Sequence, residues 1–331
     1  MPADNTSGIT LNPHVEALKE RFKFIPDGVY FGMADHVYHS DPALGSTGIK
    51  KLIDNAPDYW WDSPLNPARP EDDDTPAKIF GRQFHQCVLE GVDKFKAHHA
   101  PQHLPGNRKD GMEEIAKIKA DGKVPVKFKD WSKILAAAAF IKANKTLANA
   151  FEGGVPEVSV FWTEDGVRYK CRFDYLKTNV ITDLKSLANM HGKEFGKACR
   201  DAIASYDYIV SAEHYRHGRM QMAHLIREGK VYNVPDEQMP WLINVAGNRT
   251  FWFVFVFYQK DGAPISHGIK LSPENPLFGY ARQMITKAIG NYTRYMTEFG
   301  TDAAWVPTTQ LDELTDTDLP VWYQQRLMTG E

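Results

Sequence analysis

The sequence contains few cysteines, and their number and placement limit both redox and metal chemistry. Only Cys87, Cys171 and Cys199 occur among 331 residues, and they are far apart. We expect neither a disulfide framework nor a four-cysteine zinc or iron–sulfur site from three scattered thiols. Unpaired cysteines are typical of a protein in a reducing compartment.

Long hydrophobic runs are also missing. The longest are Ile134–Ile141 and Phe251–Tyr258, whereas a membrane-spanning helix needs about 20 apolar residues. The first residues, Met1 to Pro13, are polar and lack the basic-then-apolar order of a signal peptide. The sequence therefore predicts a cytoplasmic protein.

The chain as a whole has no large excess of either positive or negative residues, and its net charge is −3. This excludes a uniformly basic coat for nucleic acid but leaves room for a local basic track. Residues 108–133 hold eight Lys and Arg against five Asp and Glu, and residues 301–331 hold six acids against one Arg. Either segment could also be ordinary solvated surface.

The hydrophobic patterns predict a succession of helices and strands. Their order from residue 131 onward is helix, three strands, helix, two strands, helix. This order favours an α/β fold with a mixed central β-sheet flanked by helices and an N-terminal helical elaboration. The main predicted helices are His14–Phe24, Ala77–Leu89, Trp131–Phe151, Ile203–Gly229 with a break near Gly218, and Pro276–Phe299, and the main strands are Glu157–Trp162, Arg168–Leu176, Val180–Leu184, Phe251–Tyr258 and Ile265–Leu271.

The same patterns predict one main domain with extensions. Residues 1–27 form an N-terminal arm with a short helix, and residues 28–300 form the domain. Residues 92–127 are a Lys-rich insertion in that domain, and residues 301–331 form an acidic C-terminal arm. The proline-rich stretch 64–76 is predicted to be an exposed loop.

Three successive predicted strands each carry an acid, and these acids are the first candidates for a functional site. They are Glu157, Asp174 and Asp183, and Lys185 follows two residues after the last. Side chains alternate along a strand, so Asp183 and Lys185 point the same way. The spacing of Asp174 and Asp183 suits a hairpin that places the two carboxylates side by side.

Grouped carboxylates repel each other, and a divalent cation with a preference for oxygen ligands, such as Mg²⁺, removes that repulsion. Such a cation would polarise a phosphate and lower the pKa of a bound water, and Lys185 could orient or deprotonate that water or stabilise charge on phosphorus. A D-x-K spacing also occurs by chance, with both residues at the surface of a strand end.

Two further residue types carry weaker predictions. His85 lies in a Gly81–His85 segment on an apolar helix, where it is either a core histidine or a ligand. Arg168, Lys170 and Arg172 alternate along one strand, where they either follow a phosphate backbone or solvate an exposed face. Arg172 has the better claim, because it lies two residues before Asp174 and shares its face.

Six segments, in order, resemble one family of nucleases. They are Gly45–Tyr59, Gly81–Gly91, Pro156–Trp162, Tyr169–Leu176, Ile181–Ser186 and Tyr215–Gln221. Together they resemble the exodeoxyribonuclease VIII (RecE-like) family, a phage and prophage branch of the PD-(D/E)XK nucleases. More remotely, they resemble the RecB-type nuclease domains.

The resemblance implies a role for each matching residue. Asp174 and Asp183 correspond to the metal carboxylates and Lys185 to the catalytic lysine. His85 and Glu157 correspond to residues beside the metal, where either could be a ligand. Gln221 corresponds to the glutamine of a Q-x-x-x-Y motif on the helix after the core strands, although Leu225 stands where that motif has tyrosine, and Tyr215 or Tyr208 could take its place. Gln221, Tyr215 and Arg82 are further candidates for DNA contact.

The same resemblance implies an activity and partners. Members of the family digest double-stranded DNA from 5′ ends with Mg²⁺, for which Mn²⁺ substitutes. The single strand that they leave enters phage-type homologous recombination through a RecT-like annealing protein. They act in the bacterial cytoplasm and form ring-shaped homo-oligomers. The alternatives for this sequence are an endonuclease or structure-specific nuclease on the same core, and an inactive module that binds DNA or a protein.

Overall fold

A computed structural model describes residues 18, 21–70, 75–189, 192–301 and 303–329. Its strands are β1 (Gly28–Tyr30), β2 (His99–Gln102), β3 (Val124–Lys127), β4 (Val155–Glu164), β5 (Val167–Lys177), β6 (Val180–Leu187), β7 (Val231–Tyr232), β8 (Trp252–Gln259) and β9 (Ser266–Leu271). Its α-helices are α1 (Asp35–Ser40), α2 (Ser46–Asp54), α3 (Ala56–Asp62), α4 (Pro76–Leu89), α5 (Val92–His98), α6 (Lys109–Ala120), α7 (Phe128–Ala143), α8 (Phe195–Ser205), α9 (Tyr208–Arg227), α10 (Met239–Gly247), α11 (Leu277–Phe299) and α12 (Val321–Thr329).

Seven strands form one central sheet in the order β7-β1-β4-β5-β6-β8-β9. Strands β1 and β7 are parallel, and so are β6 and β8, while the other neighbours are antiparallel. The return to a parallel neighbour after β6 uses the crossover through α8, α9 and α10, because a parallel pair cannot be joined by a tight turn. The predicted mixed sheet and α/β class are confirmed.

Helices cover both sides of this sheet and bury two apolar clusters. One cluster joins the sheet to α2, α9, α10 and α11, and includes the fully buried Leu52, Val210 and Phe253. The other joins it to α4 and α7, and includes Phe84 and Ile134. Because each face of the sheet is covered, β8 can be almost entirely aromatic and apolar.

The predicted helix Ile203–Gly229 differs from the structure at its start and at its interruption. The chain breaks at Asp207, whose left-handed backbone (φ 48°) separates α8 from α9. Helix α9 then continues through Gly218, so the predicted break there is wrong. A Cβ at Gly218 would lie 2.4 Å from the Cys171 sulfur, so the glycine serves close helix–sheet packing and not a helix end.

The predicted helix Trp131–Phe151 is too long at its C-terminal end. Helix α7 ends at Ala143, and Asn144 has an extended backbone. The Asn144 side chain reaches Ser266, the first residue of β9, and accepts a hydrogen bond from the Thr146 amide. This local bonding competes with helix continuation, which the alanine-rich pattern alone cannot reveal.

The Lys-rich insertion forms a small substructure of its own. It contains α5, β2, α6 and β3, in which β2 and β3 pair as a parallel two-stranded sheet. This unit contacts α7 and lies outside the central sheet.

The two ends of the chain are described in part. Most of the predicted helix His14–Phe24 and residues 71–74 of the predicted loop 64–76 lie outside the described residues. At the other end, Trp305 is fully buried against the rings of Tyr59, Tyr292 and Tyr295, whereas Val321–Thr329 is exposed. Within the described part of the chain, no helix has the length and apolar character needed to cross a membrane.

Candidate metal and nucleic-acid site

Strand register brings the three predicted acids to one level of the sheet. The pairs Pro156↔Tyr175 and Val158↔Phe173 flank Glu157 and Asp174 and place them opposite each other. On the other side of β5, the last register pair with β6 is Tyr175↔Thr182. Because the strands are antiparallel, Asp174 and Asp183 occupy the next pair of opposite positions. Adjacent strands lie about 4.8 Å apart, so the three carboxylates form a row across β4, β5 and β6.

The backbone at Glu157 is unusual for a side chain of this type. Its φ of 56° lies in the left-handed region, and it interrupts the ladder between β4 and β5. Such a conformation costs about 1–3 kcal/mol in a non-glycine residue and persists only when its surroundings fix it. It redirects the Glu157 carboxylate toward Asp174 and His85.

Helix α4 supplies a histidine to this row. Thr75 caps the helix and Pro76 begins it, and Phe84 anchors it in the core, so His85 is held against β5. His85 Nδ1 lies 4.0 Å from Asp174 Oδ2. One donor atom each from His85, Glu157 and Asp174 lies within 4.8 Å of the others.

Asp183 and Lys185 form a buried pair beside these three residues. The Asp183 side chain is 1% exposed, and Lys185 Nζ lies 2.5 Å from its Oδ2. Apart from this ion pair, neither Asp183 carboxylate oxygen accepts a hydrogen bond from the described residues. Burying a carboxylate with so few partners is costly, so a further cation at this position would be favourable.

The pKa values follow from burial and from the neighbouring charges. Burial raises the pKa of Asp183 to about 6, although Lys185 opposes this. Burial and the Asp174 carboxylate raise the pKa of Glu157 to about 8. Burial opposes a charged ammonium at Lys185, but Asp183 and Asp174 outweigh it and raise the pKa of Lys185 to about 12. Burial and the charge of Lys185 lower the pKa of His85 to about 4.

These residues fit a divalent metal ion. Two carboxylates and one imidazole converge at ligand distance, and the buried Asp183 carboxylate beside them has oxygens without hydrogen bonds. Carboxylate oxygens suit Mg²⁺ and Mn²⁺, and an imidazole ligand favours Mn²⁺ among the two. His85, Glu157 and Asp174 converge closely enough to hold the ion together, and Asp183, which the sequence predicted as a metal carboxylate beside Asp174, lies adjacent to them.

The predicted DNA contact Arg172 lies beside the site, but its donors bind protein groups. Arg172 Nε donates to Ser159 Oγ at 2.9 Å and lies 3.7 Å from Glu157 Oε2. Its terminal nitrogens donate to Asp35 and to the Met33 carbonyl. The side chain therefore orients Glu157 from within the protein.

Arg168 and Lys170, which alternate with Arg172 along β5, are buried structural residues. Arg168 donates to both Asp41 carboxylate oxygens, and Lys170 donates to the carbonyls of Tyr38 and Asp41. The alternation on β5 therefore anchors the segment around α1 to the sheet. The sequence left two interpretations open, a solvated strand face and a DNA-facing strand. Neither holds for Arg168 and Lys170, because both side chains are buried.

Of the other predicted DNA contacts, Tyr215 and Arg82 are near the site. Tyr215 is half-buried on α9 with its ring against Phe173, and burial together with Asp183 and Asp174 raises its pKa above the usual range. Arg82 is exposed on α4, three residues before His85 and so on the same side of the helix.

Gln221 lies elsewhere. The Gln221 side-chain amide nitrogen is 3.1 Å from His217 Nε2. That histidine nitrogen is in turn 2.6 Å from Glu164 Oε2. Glu164 ends β4, seven residues and roughly 20 Å from Glu157 at the rise of an extended strand. The structure thus brings Tyr215 to the carboxylates but not Gln221.

One residue that sequence analysis did not select, Lys50, also reaches the site. Lys50 on α2 and Lys185 approach the ring of Tyr208, the first residue of α9, at 5.3 and 5.4 Å from its centroid. The only sequence signal for Lys50 was its place in the segment Gly45–Tyr59. Nothing local indicates that α2 packs against α9.

Comparison with known proteins identifies the fold class and then the family. The chain is similar to the structure of a protein from Eubacterium rectale named as an exonuclease, with a TM-score of 0.52 and 13% identity over 88% of this chain and 99% of that one. It also aligns with a phage related exonuclease from Haemophilus somnus 129PT at 11% identity over 80% of this chain and 98% of that one, but the TM-score of 0.30 is too low to support an argument. None of the curated proteins compared with the chain matches it.

The structural likeness at 13% identity shows a shared fold. Residues 62–240 match the family described as a PDDEXK-like domain of unknown function (DUF3799), and the chain belongs to that family. The matched region contains His85, Glu157, Asp174, Asp183 and Lys185, whereas Lys50 precedes it.

Proposed function

We propose that this protein is a Mg²⁺-dependent double-strand DNA exonuclease that digests from 5′ ends and leaves single-stranded DNA for phage-type recombination. The observation that carries the proposal is the row of Glu157, Asp174 and Asp183 with His85 and Lys185 beside it. In a PDDEXK-like domain, this is the arrangement expected for hydrolysis of a phosphodiester.

Each side chain of the site would have a separate role in the reaction. His85, Glu157 and Asp174 bind the ion, and a bound divalent cation supplies a Lewis acid and a water of lowered pKa. Lys185, held by Asp183, offers positive charge to the phosphate as negative charge grows on it. Arg172 keeps Glu157 oriented, and the covered faces of the sheet keep the row rigid.

The mode of digestion, its direction and the partner protein are proposed from the similarity to RecE-like nucleases. The exonuclease activity, the 5′ polarity and the RecT-like annealing partner follow from the RecE-like segments, and the Eubacterium rectale protein with this fold is named as an exonuclease. A ring-shaped homo-oligomer would explain how a chain with net charge −3 stays on DNA. A monomer by light scattering at working concentration would contradict the ring.

The decisive experiment is digestion of a linear duplex labelled at its 5′ or its 3′ end. It is run with Mg²⁺, Mn²⁺, Ca²⁺ or EDTA, beside a closed circular duplex and the Lys185→Ala variant. We expect early release of the 5′ label as mononucleotide with Mg²⁺ or Mn²⁺ and none with EDTA or with the variant. Ca²⁺ should support binding without turnover, because it accepts looser coordination than Mg²⁺.

The other outcomes separate the alternatives. Equal cutting of circular and linear duplex would retain the metal site and replace the exonuclease by an endonuclease. DNA binding without cleavage under any of these metals would leave a binding module on a nuclease fold.

A further inference from the structure

A second lysine stands next to the Asp183–Lys185 pair and comes from a different part of the chain. Lys50 lies on α2, and its ammonium is 5.3 Å from the centre of the Tyr208 ring. Lys185 Nζ is 5.4 Å from the same centre. Tyr208 is itself fixed by ring contacts with Phe255 and Phe257 of β8, so both ammonium groups lie near one ring of defined position.

Lys50 carries a positive charge that forms no close ion pair within the described residues. Its ammonium donates one hydrogen bond, to the Tyr206 carbonyl at 3.1 Å, and forms no ion pair with any carboxylate of the described residues. Burial and the charge of Lys185 lower the pKa of Lys50, and the Asp183 and Asp207 carboxylates offset only part of this. Two like charges held near one ring repel each other, and an anion between or beside them removes that cost.

An exposed aromatic ring lies on the solvent side of this pair. Tyr206 is 57% exposed, and its ring centre is 5.6 Å from that of Tyr208. It occupies the short connection between α8 and α9, next to the left-handed Asp207. An exposed tyrosine fixed by its neighbours is a suitable stacking platform for a nucleobase.

We propose that Lys50 and Tyr206 form a nucleotide subsite next to the carboxylate row, in which Lys50 binds a phosphate that flanks the scissile one and Tyr206 stacks on the attached base. The inference rests on the proposed nuclease function, since it assigns part of the substrate to this surface. A DNA strand carries one phosphate per nucleotide, so a strand with one phosphate at Lys185 offers the next to a second cation nearby. A lysine at one end and an exposed ring at the other match the charge and the stacking face of one nucleotide.

The test measures DNA binding without cleavage. A short fluorescent duplex is titrated in Ca²⁺ at several KCl concentrations against wild type, Lys50→Gln and Tyr206→Ala. For Lys50→Gln we expect weaker binding at low salt and a slope of log affinity against log salt reduced by about 1, because about 0.9 counterions are released per phosphate contact. For Tyr206→Ala we expect affinity roughly 5- to 150-fold weaker at an unchanged slope, because base stacking is not an ionic contact.

Matched variants separate binding from folding. Lys51→Gln changes the next residue of the same helix, which is ion-paired with Asp62, and should keep the wild-type slope and affinity. Lys50→Arg and Tyr206→Phe retain the charge and the ring and should bind like wild type. Urea unfolding of each variant checks that the fold is intact.

The possible results distinguish this inference from the proposed function. A wild-type slope and affinity in folded Lys50→Gln would overturn the phosphate contact, and unchanged affinity in Tyr206→Ala would overturn the stacking. The expected slopes in a protein that never cleaves DNA would support the subsite and contradict the nuclease. A wild type that binds no DNA would contradict both.

Discussion

The backbone amide of Leu184 donates a hydrogen bond of 2.7 Å to Asp174 Oδ2. The β5–β6 ladder is regular from Val180 to Thr182, and two residues further along β6 the Leu184 amide bonds this carboxylate. Asp174 is therefore both a candidate metal ligand and part of the connection between two strands. The two roles can be separated by substitution.

Asp174→Asn should remove the ligand charge and keep the connection. The asparagine carbonyl can still accept from Leu184, so we expect near wild-type unfolding free energy but loss of Mg²⁺-dependent cleavage. Asp174→Ala leaves the amide without its partner and should lower the unfolding free energy by about 1–3 kcal/mol as well. Urea unfolding and duplex digestion measure the two effects, and equal stability of Asn and Ala variants would contradict the structural role.

Lys185→Ala should lower cleavage by about 100- to 1,000-fold and also destabilise the fold in a pH-dependent way. Without Lys185, the pKa of buried Asp183 rises further above its present value of about 6. A carboxyl group whose folded pKa exceeds its unfolded pKa stabilises the fold at low pH, and that stability is lost as pH rises through the folded pKa. The destabilisation should therefore be larger at pH 8, roughly 3–5 kcal/mol, than at pH 6.

The companion variant for this prediction is Lys185→Ala with Asp183→Asn. It removes the unpaired charge, so its stability should return toward that of wild type while cleavage stays at least as low as in Lys185→Ala alone. A double variant as unstable at pH 8 as Lys185→Ala alone would show that the loss comes from packing and not from charge.

The central part of the site was predictable because it depends on local strand geometry. Asp183 and Lys185 share a face through strand alternation, and the short turn between β5 and β6 sets the register of Asp174 and Asp183. The sheet and its flanking helices followed from the same short-range patterns.

The remaining parts depend on contacts between segments far apart in sequence. Lys50 and Tyr208 meet only when α2 packs against the start of α9. Gln221 was assigned through a motif, but its location is decided by the rotation of α9, which places Gln221 and His217, four residues apart on one face, beside Glu164 at the end of β4. The buried ion pair of Arg168 with Asp41 looked like an exposed basic stripe, since alternation does not tell which face is covered.

His214 should make the protein less stable in mild acid. Its Nε2 lies 2.8 Å from the Lys170 carbonyl, and burial lowers its pKa to about 4. The unfolded chain takes up a proton near the ordinary histidine pKa of about 6.5, but the folded protein does not, so stability falls as pH drops from there toward 4. Linkage sets the limit of this loss at about 3 kcal/mol.

His214→Gln keeps a donor for the Lys170 carbonyl and removes the titration, so the acid-dependent loss should be smaller than in wild type. Urea unfolding between pH 7 and pH 4 measures the difference, and His224→Gln, which changes a histidine paired with Glu228 at the surface, is the control. Parallel pH profiles of wild type and His214→Gln would show that His214 is protonated in the folded protein.

Gly218→Ala tests whether this glycine serves packing or chain flexibility. A Cβ there would lie 2.4 Å from the sulfur of Cys171 and 3.0 Å from the Trp162 ring, inside the contact between α9 and the sheet. Overpacking of this kind costs about 1–3 kcal/mol, which outweighs the gain of up to about 1 kcal/mol in helix propensity. The matched control is Gly290→Ala in α11, where a Cβ would meet nothing within 4 Å and only the propensity gain remains. Urea unfolding should therefore move in opposite directions for the two variants, and a stabilised Gly218→Ala would mean that α9 lies farther from β4 and β5 than the structure has it.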